Sequence, residues 1–279
     1  MSEPLLEDSR LGPPHAIRAL AMLAAVGFGI TFVGGVMITA GISTAVSVPL
    51  IVLGLITSLG MGIGAAVAQH RRERLMTLAD ELERAGFSPR FRRGSKPDAG
   101  LAALGLPFAN LPELRQGLRG VVWGASRVEP RAESRLISHE FVRHDGQTTT
   151  VLRHVGASRP ASAGWPALRV TTENLGGKLA RALGRHTIRL DDQLFNERFR
   201  VECDDESFAV LLLTPEIQRW LSETASKHET WHVADGWLTC LRRVRRPADE
   251  ALAVAERVAT LETMLEPLVY EYRGGAGGA

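Results

Sequence analysis

The most informative absence in this 279-residue sequence is an absence of charge: residues 19–69 contain no Asp, Glu, Lys or Arg. A helix rises about 1.5 Å per residue, so roughly 20 apolar residues cross a hydrocarbon core about 30 Å thick. The 51-residue run has room for two such spans. We predict transmembrane helices near residues 19–40 and 48–68, joined by a short turn of small residues.

Cysteine and lysine are also scarce. Two cysteines, Cys203 and Cys240, are too few for a disulfide framework, and we expect both to be reduced and buried. Only three of the 33 basic residues are lysine, which together with abundant Ala and Gly is typical of a GC-rich bacterial genome. No G-x-S-x-G, P-loop or G-x-G-x-x-G motif occurs in the soluble part, so no cofactor is predicted.

The arginines that flank the apolar run indicate its orientation. Arg18 precedes the first span, Arg71, Arg72 and Arg74 follow the second, and the connecting turn has no basic residue. The positive-inside rule then places both termini in the cytoplasm of a bacterium, with two spans in the cytoplasmic membrane. A cleaved signal peptide is the rival interpretation. The acidic start and the long apolar core argue against it.

A basic stretch follows the second span. We predict a juxtamembrane helix that ends at Gly86, then a linker, together covering residues 70–98. Near an anionic bilayer each basic side chain contributes about 1 kcal/mol of attraction, so lipid explains the stretch more simply than nucleic acid does. The predicted membrane-interface residues are Arg18, Arg71, Arg72, Arg74, Arg90, Arg92 and Arg93.

Small residues recur within the predicted spans. Ala25 with Gly29, and Gly60 with Gly64, have the small-xxx-small spacing that lets helix backbones approach closely. Packing of the two helices within one hairpin is one interpretation, and self-association between chains is the other.

Strand and helix patterns alternate after residue 99. Hairpin turns at Asp145-Gly146 and Asp235-Gly236, mixed with separated helices, predict an α+β fold with an antiparallel sheet and flanking helices. We divide the chain into a cytoplasmic tail (1–18), a transmembrane hairpin (19–69), the juxtamembrane stretch (70–98), a cytoplasmic domain (99–273) and a flexible tail (274–279). The predicted strands cover residues 121–128, 136–141, 148–154, 168–171, 195–203, 229–234 and 237–242, with a loop at 156–164 and helices at 172–183, from 206, from 215 and at 247–270.

One segment matches a zinc-protease motif. His228-Glu229-Thr230-Trp231-His232 fits H-E-x-x-H, which binds zinc only as a helix that places both histidines on one face. The following Asp235-Gly236 turn favours a strand, which would separate the histidines by about 13 Å. We therefore predict extended chain and no zinc, with His232 an ordinary surface residue if its side chain is exposed.

Other polar residues have simpler explanations than catalysis. We expect His139, His144, His154 and His186 to be exposed on strands. The pairs Asp191-Asp192 and Asp204-Asp205 suit turns and helix caps better than a catalytic or cation site. The basic stretch 242–246 fits a solvated strand end answered by acidic residues of the next helix, although phosphate binding is the alternative.

A resemblance covers roughly residues 100–245. It rests on the segment FNERFRVECDD at 195–205, then Phe208-Ala209 and Leu213-Thr214-Pro215. This pattern resembles a family of uncharacterised bacterial, mainly actinobacterial, membrane proteins that join a short anchor to a domain with F-x-x-x-F-x-V-x-x-D-D…A…L-x-P. Members often have a Tyr-rich strand where this chain has only Phe141. The family has no assigned activity, so the resemblance implies the architecture alone.

Two functions from different classes follow from these observations. We predict a membrane-anchored cytoplasmic interaction or assembly domain without catalytic activity, whose partners are the lipid bilayer and a protein or a second copy of the chain. The alternative is a membrane-associated hydrolase with an active site that no motif reveals. A third hypothesis is that the arginines sense lipid or nucleic acid. Lipid is the simpler explanation of the two, so no nucleic acid is expected as a partner. A deep pocket with converging polar groups favours an enzyme, and a flat apolar patch favours a binder.

Overall fold

The computed structural model describes residues 14–39, 44–92, 99–114, 116–130, 132–172 and 187–275. The chain divides into two compact units, Met1–Glu81 and Leu82–Ala279. Residues 173–183 of the predicted helix, residues 1–13, Arg93 and His186 lie outside the described residues.

The first unit is helical. Helix α1 spans Pro14–Thr39 and helix α2 spans Thr44–Arg84, ending just before Gly86, which has a φ of 80°. The predicted helical continuation of the second apolar segment up to Gly86 is therefore confirmed. Among the described residues, one helix, Ser47–Arg84, is long and apolar enough to cross a membrane. The apolar part of α1, Met22–Ile38, is shorter.

Helices α1 and α2 approach closely at two glycines that the small-residue spacing did not select. A Cβ on Gly54 would lie 2.7 Å from the Gly27 carbonyl oxygen, and one on Gly27 would lie 2.8 Å from the Ser58 nitrogen. The Ser58 hydroxyl donates a hydrogen bond to the Ala24 carbonyl at 3.2 Å. By contrast, an added Cβ would meet open space at Gly29, Gly60 and Gly64, the glycines that the small-residue spacing did select.

The second unit contains one eight-stranded sheet in the order β1-β2-β3-β4-β8-β7-β5-β6, in which every neighbouring pair is antiparallel. The predicted α+β class with an antiparallel sheet and flanking helices is confirmed. The strands are β1 (Ser88–Phe91), β2 (Val121–Val128), β3 (Glu133–Asp145), β4 (Thr148–Pro160), β5 (Leu168–Thr172), β6 (Phe199–Cys203), β7 (Glu229–Ala234) and β8 (Trp237–Arg243).

Both faces of the sheet are covered. The described helices of this unit are α3 (Ala99–Gly105), α4 (Gln193–Arg198), α5 (Glu206–Leu212), α6 (Pro215–Thr224) and α7 (Pro247–Gly275). On the helix face, α7 packs on β4 and β8 through a buried stripe that includes Val254, Val258 and Leu261. On the loop face, residues 99–120 supply an apolar cluster to the sheet, formed by Leu101, Phe108, Leu111, Leu114, Val121, Ile137 and Leu241.

Local chemistry explains several element boundaries. The Thr214 side chain caps α6 with Pro215 in its first turn, as predicted. Asp235 and Gly236 have φ values of 52° and 76°, which a tight two-residue hairpin turn requires. Helix α7 continues past Pro267 to Gly275, beyond its predicted end near 270.

Three boundary predictions are wrong. Part of the predicted linker forms β1, which pairs with β2 at the sheet edge, where Pro89 is tolerated. Residues 156–160, predicted as loop, continue β4, because pairing with β8 completes their hydrogen bonds. Residues 195–198, predicted as strand, form most of α4, because the Asp192 side chain accepts a hydrogen bond from the Phe195 nitrogen and caps a helix there.

Candidate functional site

The H-E-x-x-H segment is extended and not helical. Residues 229–234 form β7, so the predicted extended conformation is confirmed. His228 is exposed before the strand, whereas Glu229 and His232 project to opposite faces of the sheet. Among the described residues, no group of three or more His, Cys, Asp and Glu side chains is arranged to hold a metal ion.

His232 is buried, so it is not an ordinary surface residue. Its Nε2 lies 3.3 Å from Oε2 of Glu113, and Glu113 also binds Arg169 at 2.5 Å. Arg169 in turn binds Glu202 at 3.0 Å. Burial alone would raise the pKa of Glu113, but His232 and Arg169 together lower it to about 2. This ionic cluster joins the 99–120 segment to β5, β6 and β7.

The expectation that the strand histidines are exposed is wrong for two of them. His139 and His154 are opposite each other on β3 and β4 and are both buried, with ring centroids 6.3 Å apart. The His139 Nε2 lies 3.0 Å from the Gly117 carbonyl oxygen, and the His154 ring stacks on Phe141. His144, nearer the hairpin tip, is exposed as predicted. Gly117 and Gly120 of the 99–120 segment lie against the His139 ring, and no local pattern in the sequence shows this.

The acidic pairs and the basic strand end have the predicted structural roles. Asp192 and Asp205 each cap a helix through the side chain. Arg242 binds Glu250 at 3.1 Å, as expected for a strand end answered by the next helix. Cys240 is fully buried, and burial raises the pKa of its thiol well above its ordinary value. Cys203 is half-buried, and both thiols are free.

The predicted membrane-interface arginines belong to different elements. Arg74 on α2 and Arg90 on β1 are exposed, and Arg72 is half-buried. Arg92, also half-buried, donates a hydrogen bond to the Arg119 carbonyl at 2.7 Å. The side chains of Arg18 and Arg71 lie outside the described set, as does all of Arg93.

A cavity of about 580 Å³ lies in the second unit, at the end of β4. Its walls come from the β2–β3 loop, from the β4 end with the loop that follows it, from Leu238 on β8, and from α7. This volume falls in the range of small-molecule and side-chain pockets. We call it the β4 cavity. Pro130, Pro160 and Leu265 make part of its wall apolar.

A buried arginine links two carboxylates in the β4 cavity. The Arg159 side chain is only 10% exposed and binds Glu129 at 2.9 Å and Glu262 at 2.5 Å. Glu266, one helical turn beyond Glu262, is exposed at the mouth. Glu129 has a second partner in Arg127, at 2.5 Å. The described lining residues therefore carry three carboxylates and one guanidinium group.

The two carboxyl groups held by Arg159 have opposite pKa shifts. Burial alone would raise the pKa of Glu129, but the guanidinium groups of Arg159 and Arg127 lower it below its ordinary value. Burial raises the pKa of Glu262, the carboxylates of Glu129 and Glu266 add to this, and Arg159 only partly opposes it. Of the three carboxylates on the described lining residues, Glu129 and Glu262 are bound to Arg159, and Glu129 is also bound to Arg127.

Sequence reasoning missed this cavity. Arg159 lies in the stretch predicted as loop, and only the pairing of β4 with β8 shows that it points toward α7. The spacing of Glu262 and Glu266 on one side of a helix is a local signal, but it is equally typical of a solvated helix face.

No known protein family, characterised protein or solved structure matches this chain. The resemblance to the anchored bacterial family therefore stays a prediction.

Proposed function

We propose that the chain is a membrane-anchored cytoplasmic interaction domain that receives a partner in the β4 cavity. The observation that carries this proposal is the cavity itself. It has a ligand-sized volume and an apolar wall, and its described lining residues carry three carboxylates and one guanidinium group but no histidine, cysteine or lysine. The lining can thus hold a group by shape and charge but offers no nucleophile–histidine pair.

The anchor is supported by the surface of the helical unit. Large apolar side chains of α1 and α2 are exposed along both helices, including Phe28, Phe32, Ile56 and Leu59. Apolar surface of this extent is unfavourable in water, and a hydrocarbon environment removes the cost. The arginines Arg74 and Arg90 are exposed and fit contact with anionic headgroups. We therefore propose two spans with both termini cytoplasmic.

The proposal is tested by affinity purification of the tagged full-length chain from native membranes. Thr263 is exposed on α7 and lines the β4 cavity, so Thr263→Trp fills the mouth without disturbing the core. Thr260→Trp is the matched control, because Thr260 is exposed on the same helix and makes the same hydrogen bond to the carbonyl four residues earlier. We expect a partner that Thr263→Trp loses and Thr260→Trp keeps. Identical partners for both variants would contradict a role of the cavity.

One observation favours a second candidate, a membrane-associated hydrolase. Two carboxyl groups with opposite pKa shifts, Glu129 and Glu262, are the kind of pair that divides acid and base roles in hydrolysis. A screen of ester, amide and glycoside substrates with the full chain separates the two functions. Turnover that is lost in both Glu129→Gln and Glu262→Gln would support the hydrolase, and turnover that is unchanged in both would exclude this pair.

A further inference from the structure

We propose that two copies of the chain form a dimer by pairing β4 with β4, antiparallel and centred on Thr149. This surface is separate from the β4 cavity, which lies at the Pro160 end of the strand, whereas Thr149 lies at the opposite end. Three features of this strand end support the dimer: an open side, the absence of charge along it, and a register that the neighbouring strand permits.

The hairpin of β3 and β4 extends beyond the rest of the sheet. Strand β2 pairs with β3 only as far as His139, and β8 pairs with β4 only as far as His154. Residues 140–145 and 148–153 therefore form a two-stranded extension, which we call the β3–β4 arm. Within the described part of the chain, each strand of the arm has one neighbouring strand and one open side. Because two strands alone are only marginally stable in water, an added strand stabilises the arm.

The open side of β4 presents unpaired backbone groups. The Val244 nitrogen donates to the Arg153 carbonyl oxygen at 2.9 Å, so Arg153 directs its backbone groups toward β8. Strand residues direct these groups to alternate sides, so Thr149 and Val151 direct theirs the same way, where the described residues supply no partner strand. Val151 lies opposite Val142, and their side chains are 40% and 42% exposed. A strand added here gains main-chain hydrogen bonds and covers part of an apolar pair.

This side of β4 lacks the protection that other edges of the sheet have. Native proteins blunt exposed edges with charged side chains, proline or covering segments. Strand β1 carries Pro89, Ile188 pairs with Val201 outside β6, and β3 has three charged residues in the arm. From Gln147 to Leu152 the sequence is QTTTVL, with no charge and no proline. Two copies therefore meet here without opposing like charges, along residues that favour strands.

The position of Val244 selects the register. Val244 lies opposite Arg153, in the row that the added strand would occupy, so the added strand has to end before that position. When Thr149 faces its counterpart in the second copy, Gly146 at the turn falls opposite Leu152, one position before Val244. A register centred one residue later would bring the turn against Val244. The dimer is therefore centred on Thr149.

The residues that meet in this register suit each other. Thr150 faces Thr148 and Val151 faces Gln147, each twice because of the two-fold symmetry, and threonine pairs across strands are favourable. The symmetric pairing uses the open side of β4 in both copies, so it closes at two chains. It covers about five residues of each copy, far less than the roughly 1,200–2,000 Å² of a stable interface, so we expect a weak, reversible dimer.

Disulfide trapping tests the dimer, with the full-length chain in detergent micelles and with Cys203 and Cys240 replaced by serine. In Thr149→Cys the two cysteines face each other with Cα atoms about 5.5 Å apart, which a disulfide spans. His144→Cys is the matched control, because His144 is exposed and opposite Thr149 on β3, and both variants remove the same His144–Thr149 hydrogen bond. Three strand spacings, roughly 14 Å, separate its Cα from its counterpart. We expect at least about tenfold more cross-linked dimer in Thr149→Cys.

Charge variants identify the occupant as a second copy. Thr149→Lys places two ammonium groups opposite each other, and we expect the dimer dissociation constant to rise by about fivefold or more. It is measured by energy transfer between donor- and acceptor-labelled chains. His144→Lys carries the same charge on the neighbouring strand and should leave the constant unchanged. A mixture of Thr149→Lys and Thr149→Glu chains should regain the pairing, because charges of opposite sign then face each other.

Three outcomes would overturn the inference. The first is equal cross-linking of Thr149→Cys and His144→Cys, and the second is a dimer that Thr149→Lys leaves unchanged. The third is a monomeric chain that loses a native partner in Thr149→Lys, because the open side of β4 would then serve another protein. Positions 144 and 149 are exposed, so these variants are expected to keep the fold, which circular dichroism checks.

Discussion

The Glu229 carboxylate, whose side chain is fully buried, lies 2.7 Å from the Arg257 guanidinium and ties β7 to α7. The Trp231 indole N–H donates to the same carboxylate at 2.9 Å. Breaking a buried pair by removing one partner is strongly destabilising, because the remaining charge is left uncompensated. We expect Glu229→Ala to lower the free energy of unfolding by about 3–5 kcal/mol, measured by denaturant titration of the full chain.

The double variant is the control for this pair. In Glu229→Ala with Arg257→Leu no unpaired charge remains, so part of the lost stability is expected to return. If the double variant is as unstable as the sum of the single variants, packing rather than charge explains the effect.

His154 makes stability depend on pH. Burial, with smaller contributions from His139 and Arg243, lowers the pKa of His154 from 6.5 to about 4. Between these values the unfolded chain binds a proton that the folded chain does not, so the free energy of unfolding falls as pH falls from about 6.5 to about 4. The loss corresponds to about 3 kcal/mol for this residue.

Unfolding titrations at a series of pH values check this prediction. The variant His154→Phe keeps an aromatic ring beside Phe141 and removes the titration, so its stability should vary less over this range. The variant His144→Phe is the matched control, because His144 is exposed at the far end of the same hairpin. A pH profile that is identical in His154→Phe and the unaltered chain would contradict the assignment.

The α1–α2 contact is tested by a pair of glycine variants. Because a Cβ on Gly54 would clash with the α1 backbone, Gly54→Leu should separate the helices, whereas Gly60→Leu should not. A disulfide between Ala24→Cys and Ser58→Cys reports the contact, in a chain where Cys203 and Cys240 are serine. We expect its yield to fall several-fold in Gly54→Leu only. Equal yields would show that these glycines do not set the packing.

The orientation of the anchor is tested by labelling. Single cysteines replace Ser43, which lies between the two helices in the sequence, and Ser95, which follows the second helix in the sequence. We expect a membrane-impermeant thiol reagent to reach position 43 from outside intact cells and position 95 only after lysis. Labelling of position 95 from outside would reverse the proposed topology.

Features with a local cause were predictable from the sequence. The Asp235-Gly236 turn, the Thr214-Pro215 cap and the caps at Asp192 and Asp205 each depend on neighbouring residues, and their chemistry is visible in the letters. Asp192 indicates a turn or a helix cap, whereas the alternating residues after it are typical of a strand. In the structure the cap prevails, and a helix begins at Gln193.

Features that depend on distant residues were not predictable. Whether His139 is exposed is decided by the 99–120 segment that lies against it, and β1 becomes a strand only because β2 offers it an edge. The candidate site has the same cause. Arg159 meets Glu262 through the packing of α7 on β4, across about a hundred residues of sequence.

The strand order also has a consequence for how the chain folds during synthesis. Strands β1 to β4 pair in sequence order, so this half can form once residue 160 has left the ribosome. The halves of the sheet join only where β4 pairs with β8, in a register that runs from Pro160 opposite Trp237 to His154 opposite Arg243. Until β8 leaves the ribosome, the edge of β4 is an open template for pairing with another chain. A ribosome that stalls between β4 and β8 would therefore leave an aggregation-prone nascent product.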